Sequence, residues 1–136
     1  MKENASTPMT KEDEKFLRKA EIIATKSKCI RENRNVGAIA VQNGNVVATG
    51  FNGASDGEKP CGERGYCIRT EKEIPTGERL EIANCIHAEQ ALICNAANDG
   101  ISLNGSTVYV TLQPCPVCSR MLKSAGVARI VFRDKY

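Results

Sequence analysis

One histidine and seven cysteines stand out among the 136 residues. The histidine opens the triplet His87-Ala88-Glu89, and two of the cysteines stand in Pro114-Cys115-Pro116-Val117-Cys118. Each piece alone is ambiguous. A lone histidine is more often a hydrogen-bonded core or surface residue. A lone Cys-x-x-Cys serves equally as a redox pair at a helix start or as half of a structural zinc knuckle. Together they say more. Thiols three residues apart share one face of a helix and can grip a single ion. His87, at the start of another helix, would add a third ligand and leave the fourth tetrahedral position of a zinc ion to water. Both helix N-termini would then face the metal, where their partial positive charge favours thiolates. Glu89 is expected to carry protons rather than to coordinate. Ala88 is small enough for a substrate to approach the backbone. Such a set performs attack by a metal-activated water. The competing reading is a closed zinc site without turnover, for which Cys85 could be the fourth donor.

The rest of the chain bounds what surrounds this set. A mass of 14.8 kDa corresponds to one domain, residues 1–136, with no room for a second core. Apolar residues are 41% and charged residues 26%, a soluble globular balance. No apolar run approaches the ~18 residues of a membrane span, and the opening MKENASTPMT has no apolar signal core. A net charge of +3 with only 4% aromatic residues is a weak footprint for nucleic acid and suits an anionic small molecule equally well. An odd number of cysteines without a secretory signal points to a reducing, cytoplasmic setting, where they act as ligands, nucleophiles or core residues rather than disulfides.

The elements that must position the set follow from local pattern. Residues 1–9 read as a loose tail. Thr10-Lys11-Glu12-Asp13 is a helix start, and Phe16, Ala20, Ile23 and Ser27 recur at helical spacing, so 11–28 is expected to be helical. Asn43-Gly44 between the apolar runs 36–42 and 45–51 signals an antiparallel hairpin. Residues 52–86 hold five Gly, two Pro and three Cys, and read as an irregular surface insert with a short helix near 78–83. Then come a helix over 87–99, a strand over 106–112, a helix over 116–125 started by Pro116 and ended by Gly126, and a strand over 128–132. Cys94, in Leu92-Ile93-Cys94, is expected in the core. This order predicts an α/β fold of three layers, α-β-α, around a mixed sheet.

Several segments carry a resemblance: Ser27-Lys28-Cys29, Val36-Gly37-Ala38, Thr49-Gly50-Phe51-Asn52-Gly53, Cys85-Ile86-His87-Ala88-Glu89-Gln90, Thr111-Leu112-Gln113-Pro114-Cys115-Pro116-Val117-Cys118 and the final Arg129-Ile130-Val131-Phe132-Arg133-Asp134-Lys135-Tyr136. Through them the chain resembles the zinc-dependent cytidine deaminase superfamily. Within it, the Gly-Phe-Asn-Gly turn and the long insert before His87 resemble the bacterial and phage deoxycytidylate (dCMP) deaminases. The resemblance implies hydrolysis of dCMP to dUMP and ammonia, supplying dUMP for thymidylate synthesis, with His87, Cys115 and Cys118 on zinc and Glu89 as proton shuttle. It implies a five-stranded sheet, of which this chain would lack the fifth strand and the terminal helix. Asn52 would bond the nucleotide, against a reading as simple turn chemistry. Ala88 would border the base, and Tyr136 would pack on the nucleotide, against a reading as a frayed end. A second, structural zinc would lie at Cys29, Cys61, Cys67 and Cys85, clipping an insert with little core of its own; the alternative leaves Cys67 and Cys85 merely buried. A homo-oligomer, a hexamer in the resembling enzymes, regulated by dCTP with magnesium and by dTTP, is the implied assembly. Arg31, Arg34, Lys59, Arg64 and Arg120 are the candidates for the 5′-phosphate. The rival substrates are another cytosine nucleotide or nucleoside, or adenosine in tRNA; the rival of another class is a zinc-stapled binding module.

Overall fold

The structure, a computed structural model, describes residues 2–3, 9–28, 35–54, 72–75 and 85–135. In chain order the elements are β1 (Lys2–Glu3), α1 (Lys11–Ala24), β2 (Gly37–Gln42), β3 (Asn45–Phe51), β4 (Gly53–Ala54), β5 (Cys85–Ile86), α2 (Ala88–Asn98), β6 (Thr107–Leu112), α3 (Pro116–Ser124) and β7 (Arg129–Asp134). The main sheet has the order β1-β7-β6-β2-β3, and β4 and β5 form a separate two-stranded ladder. β6 and β7 are parallel, while β2 runs antiparallel to both β6 and β3, so the sheet is mixed as expected.

Two expectations change here. The four expected strands are present with none after β7 among the described residues, and the sheet gains an edge strand because Lys2–Glu3 pairs in parallel with Arg129 and Ile130. Residues read as loose tail thus add a two-residue strand beside β7. Cys94 is exposed rather than in the core. Helix α2 buries Ala88, Glu89, Ala91, Leu92 and Ala96, which turns Cys94 outward.

Period-two alternation in the strands builds two cores. Ala38, Ala40, Val108, Val110, Ile130 and Phe132 pack with Leu92 and Leu122 beneath α2 and α3. Ile39, Val41, Tyr109 and Val131 pack with Phe16, Leu17 and Ala20 beneath α1. Two glycines set how closely the layers approach. A Cβ at Gly50 would strike the Ala88 carbonyl and the Leu92 amide, and one at Gly37 would strike the Ala20 carbonyl and the Ala24 amide. The hairpin turn is made by Asn43 (φ 50°) and Gly44 (φ 78°), both left-handed as a two-residue turn of this twist requires.

Asp13 was expected only as first-turn acid. Thr10 and Asp13 do form a reciprocal cap, Asp13 N–H donating to Thr10 Oγ1 at 3.0 Å and Thr10 N–H to Asp13 Oδ2 at 3.2 Å. Asp13 is also buried, and it accepts from Arg129 Nη1 (2.9 Å), Arg129 Nη2 (2.8 Å) and Tyr109 Oη (2.9 Å). These bonds, led by the one from Arg129, hold its carboxyl down at about 2 against a usual 3.8. The group therefore adds stability above pH 3.8 and loses it as pH falls toward 2. Asp13→Asn should be roughly 2–4 kcal/mol less stable at pH 7. In urea unfolding the gap to the parent should shrink as pH is lowered from 5 to 2, a comparison in which other titrating groups cancel. A gap that is absent at pH 7, or constant with pH, would contradict this role.

Candidate metal centre

The two helices on one face of the sheet begin at the chemistry-bearing residues. His87 is the N-cap of α2, with extended backbone (φ −74°, ψ 156°), and Cys115 is the N-cap of α3 (φ −66°, ψ 163°). Gln90 Oε1 accepts from the His87 N–H at 2.9 Å, which fixes the first turn of α2. Pro116 supplies the first helical φ of α3, and the Cys118 N–H donates to Cys115 Sγ at 3.4 Å. Strand β6 delivers the chain to Cys115, and the β4–β5 ladder delivers it to His87.

The result is a tight donor cluster. His87 Nδ1 lies 3.3 Å from Cys118 Sγ and 3.6 Å from Cys115 Sγ, and all three donor atoms lie within 4.8 Å of one another. Ligand bonds of about 2.0 Å to nitrogen and 2.3 Å to sulfur would separate tetrahedral N and S donors by about 3.5 Å. The spacing therefore fits one zinc ion. Neither Glu89 nor Cys85 contributes an atom to the cluster. Of the described cysteines, Cys94, Cys115 and Cys118 are free thiols.

Burial shapes the electrostatics. Cys118 is fully buried, and burial, followed by the charge of Glu89 and the Cys115 sulfur, pushes its thiol far above the usual range when no cation is counted. A buried thiol of this kind needs a metal to lose its proton. Glu89 is 4% exposed; burial pushes its carboxyl up, against the pull of its own backbone N–H and of the Cys118 thiol. That combination suits a carboxyl that takes and returns protons.

The other residues singled out in the sequence fall differently. Ala88 is fully buried beneath Gly50. Asn52 is half-buried at the end of β3; its Oδ1 accepts from the Val36 N–H at 2.8 Å, and its N–H donates to the Val36 carbonyl at 3.2 Å. Neither Asn52 nor Gly53 adopts positive φ, so the turn rationale for this pair does not hold. The ladder pairs Gly53 with Ile86 and Ala54 with Cys85, so Asn52 and His87 adjoin its last pair, one on each strand. Arg120 is exposed on α3. Cys29, Cys61, Cys67, Tyr136, Arg31, Arg34, Lys59, Arg64 and the short helix near 78–83 lie outside the described residues. Ser27, read in the sequence as part of the first helix and given no site role, lies past the end of α1, and its hydroxyl donates to the Asn52 carbonyl at 2.8 Å. A surface cavity of about 300 Å³ along β3 and the end of α2, lined by Val46, Thr49, Asn95 and Asp99 among others, shares no residue with the cluster.

Comparison with known proteins agrees with this geometry. The profile described as "Cytidine and deoxycytidylate deaminase zinc-binding region" matches residues 10–134. The deoxycytidylate deaminase of Enterobacteria phage T4 is 30% identical, over 88% of this chain and 76% of that protein. That of Schizosaccharomyces pombe is 31% identical over 91% of this chain, which spans only 37% of that longer relative. The dCMP deaminase of cyanophage S-TIM5, solved in complex with dCMP and dUMP, superposes with a TM-score of 0.72 at 30% identity, covering 95% of this chain and 86% of that one. The chain belongs to the family of cytidine and deoxycytidylate deaminases that share this zinc-binding region.

Proposed function

We propose that the protein hydrolyses dCMP to dUMP and ammonia. The single observation that carries this is the His87–Cys115–Cys118 donor cluster with the buried Glu89 beside it, in a chain that covers most of a dCMP deaminase solved with dCMP and dUMP. His87, Cys115 and Cys118 hold the zinc, which, when bound, makes water acidic enough to attack near neutral pH. Glu89 takes one proton from water and delivers it to the ring nitrogen, then takes the remaining proton from the hydroxyl added to C4 and passes it to the amine, which leaves as ammonia. Its burial keeps bulk water from competing for that proton. Ala88 lets the base approach the start of α2, and Asn52 donates to the nucleotide from its amide nitrogen. Tyr136 closes on the nucleotide, a role supported by the resemblance alone.

The wider reading follows the same family. Cys29, Cys61, Cys67 and Cys85 hold a second, structural zinc. A homo-hexamer responds to dCTP with magnesium and to dTTP. The cytoplasm is the natural setting for free thiol ligands. No described helix is long and apolar enough to cross a membrane.

The test is to offer zinc-loaded protein dCMP, deoxycytidine, dCTP and a tRNA anticodon stem and to follow ammonia release. The expected result is turnover of dCMP with kcat/KM at least about tenfold above the others, the margin one well-made polar contact supplies. Turnover of the tRNA stem or of deoxycytidine alone would replace the substrate. No release from any of them would favour a zinc-stapled binding module.

A further inference from the structure

Asn52 owes its position to two other parts of the chain. Val36, at the entry to β2, takes two of its hydrogen-bonding groups: the Val36 N–H donates to Asn52 Oδ1 and the Val36 carbonyl accepts from the Asn52 N–H. A backbone N–H can only donate, so the amide atom facing Val36 must be the oxygen, and the nitrogen is turned the other way. The third group, the Asn52 carbonyl, accepts from the Ser27 hydroxyl at 2.8 Å. Ser27 is itself buried and tied to the end of α1, its N–H donating to the Ala24 carbonyl at 3.0 Å. Helix α1 packs on the sheet face opposite α2 and α3, yet Gly37 lets its last turn lie against the start of β2. Ser27 therefore reaches across from the far layer to the residue that precedes Gly53, whose partner Ile86 precedes His87, at the end of the β4–β5 ladder.

We infer that Ser27 is a positioning residue of the nucleotide site: its hydroxyl, with the Val36 backbone, locks the orientation of Asn52 so that the amide nitrogen is presented beside the metal centre. This rests on the reading of Asn52 as a substrate contact. Without the hydroxyl, the Asn52 peptide can rotate, and binding must first reorder it. That cost falls equally on ground state and transition state, so it raises KM and leaves kcat alone.

The test uses the zinc-loaded full chain as Ser27→Ala, Ser27→Thr, Asn52→Ala and the Ser27→Ala/Asn52→Ala double variant. The readouts are KM and kcat for dCMP, calorimetric Kd for dUMP, zinc content and thermal unfolding. Ser27→Ala should raise KM and the dUMP Kd together by about three- to tenfold, the equivalent of one hydrogen bond. Its kcat should stay within about twofold and its zinc content should be unchanged. Ser27→Thr, which keeps the hydroxyl, should return both constants to near the parent values. In the Asn52→Ala background the Ser27→Ala change should add almost nothing. If Asn52→Ala weakens binding but Ser27→Ala does not, or if the two effects simply add, the inference is overturned while the reading of Asn52 stands. If Asn52→Ala binds dUMP like the parent, the reading of Asn52 itself has failed. A lower unfolding temperature in Ser27→Ala with unchanged dUMP affinity makes the hydroxyl a structural tie and also overturns the inference.

Discussion

Glu89→Gln should keep its zinc and lose roughly 10²–10⁴-fold in kcat, the range for a general acid–base group. The substitution preserves shape and burial but removes the ability to take and return a proton. Glu89 is almost fully buried and contributes no atom to the donor cluster, so the ligands should be unaffected. The loss should appear in kcat and kcat/KM alike, with KM for dCMP changed much less, because the missing interaction acts in the transition state. Metal analysis beside the kinetics makes the result decisive. A variant that loses zinc would make Glu89 a ligand or a ligand support. A variant with near-normal turnover would hand the proton transfer to another group.

That carboxylate could be assigned from the sequence because local chemistry dictates it. His-x-Glu at one helix start and Pro-Cys-x-x-Cys at another need no knowledge of the fold beyond two helix starts. The structure places His87 and Cys115 at the N-caps of α2 and α3. The hairpin was equally plain, since Asn43 and Gly44 tolerate the left-handed backbone that the turn requires. What escaped the sequence depends on partners distant along the chain. Asp13 looked like an ordinary cap residue, and nothing near it announces Arg129, 116 positions away, or Tyr109. Cys94 sits in an apolar stretch, and only the packing of Leu92 and Ala96 against the sheet decides which face turns outward. Lys2 and Glu3 carry no strand pattern of their own; the parallel edge of β7 gives them their conformation. The Ser27–Asn52 bond joins residues 25 apart from opposite sides of a hairpin, where no periodicity reports it.

The second large effect concerns the metal count. The purified protein should carry about two zinc per chain, one open and one closed site. Cys118→Ala should bring this to about one and abolish deamination. Its sulfur lies 3.3 Å from His87 Nδ1 at the buried centre of the cluster, and two donors do not hold a catalytic zinc. Cys61→Ser should also fall toward one, but by losing the structural ion. Cys85, the one member of that second set within the described residues, lies in β5 and outside the catalytic cluster. It is separated from His87 only by Ile86, which pairs with Gly53. A metal gripping Cys85 would therefore anchor the strand that delivers His87. On this reading Cys61→Ser keeps some turnover but unfolds at lower temperature and yields its remaining zinc to chelators more readily. Cys118→Ala, with the clip intact, keeps its resistance to unfolding better than it keeps activity. Parent protein with one zinc, together with a Cys61→Ser variant unchanged in metal content and unfolding temperature, would remove the second site and leave the first standing. A Cys118→Ala variant that retains both ions and turns over dCMP would remove the catalytic one.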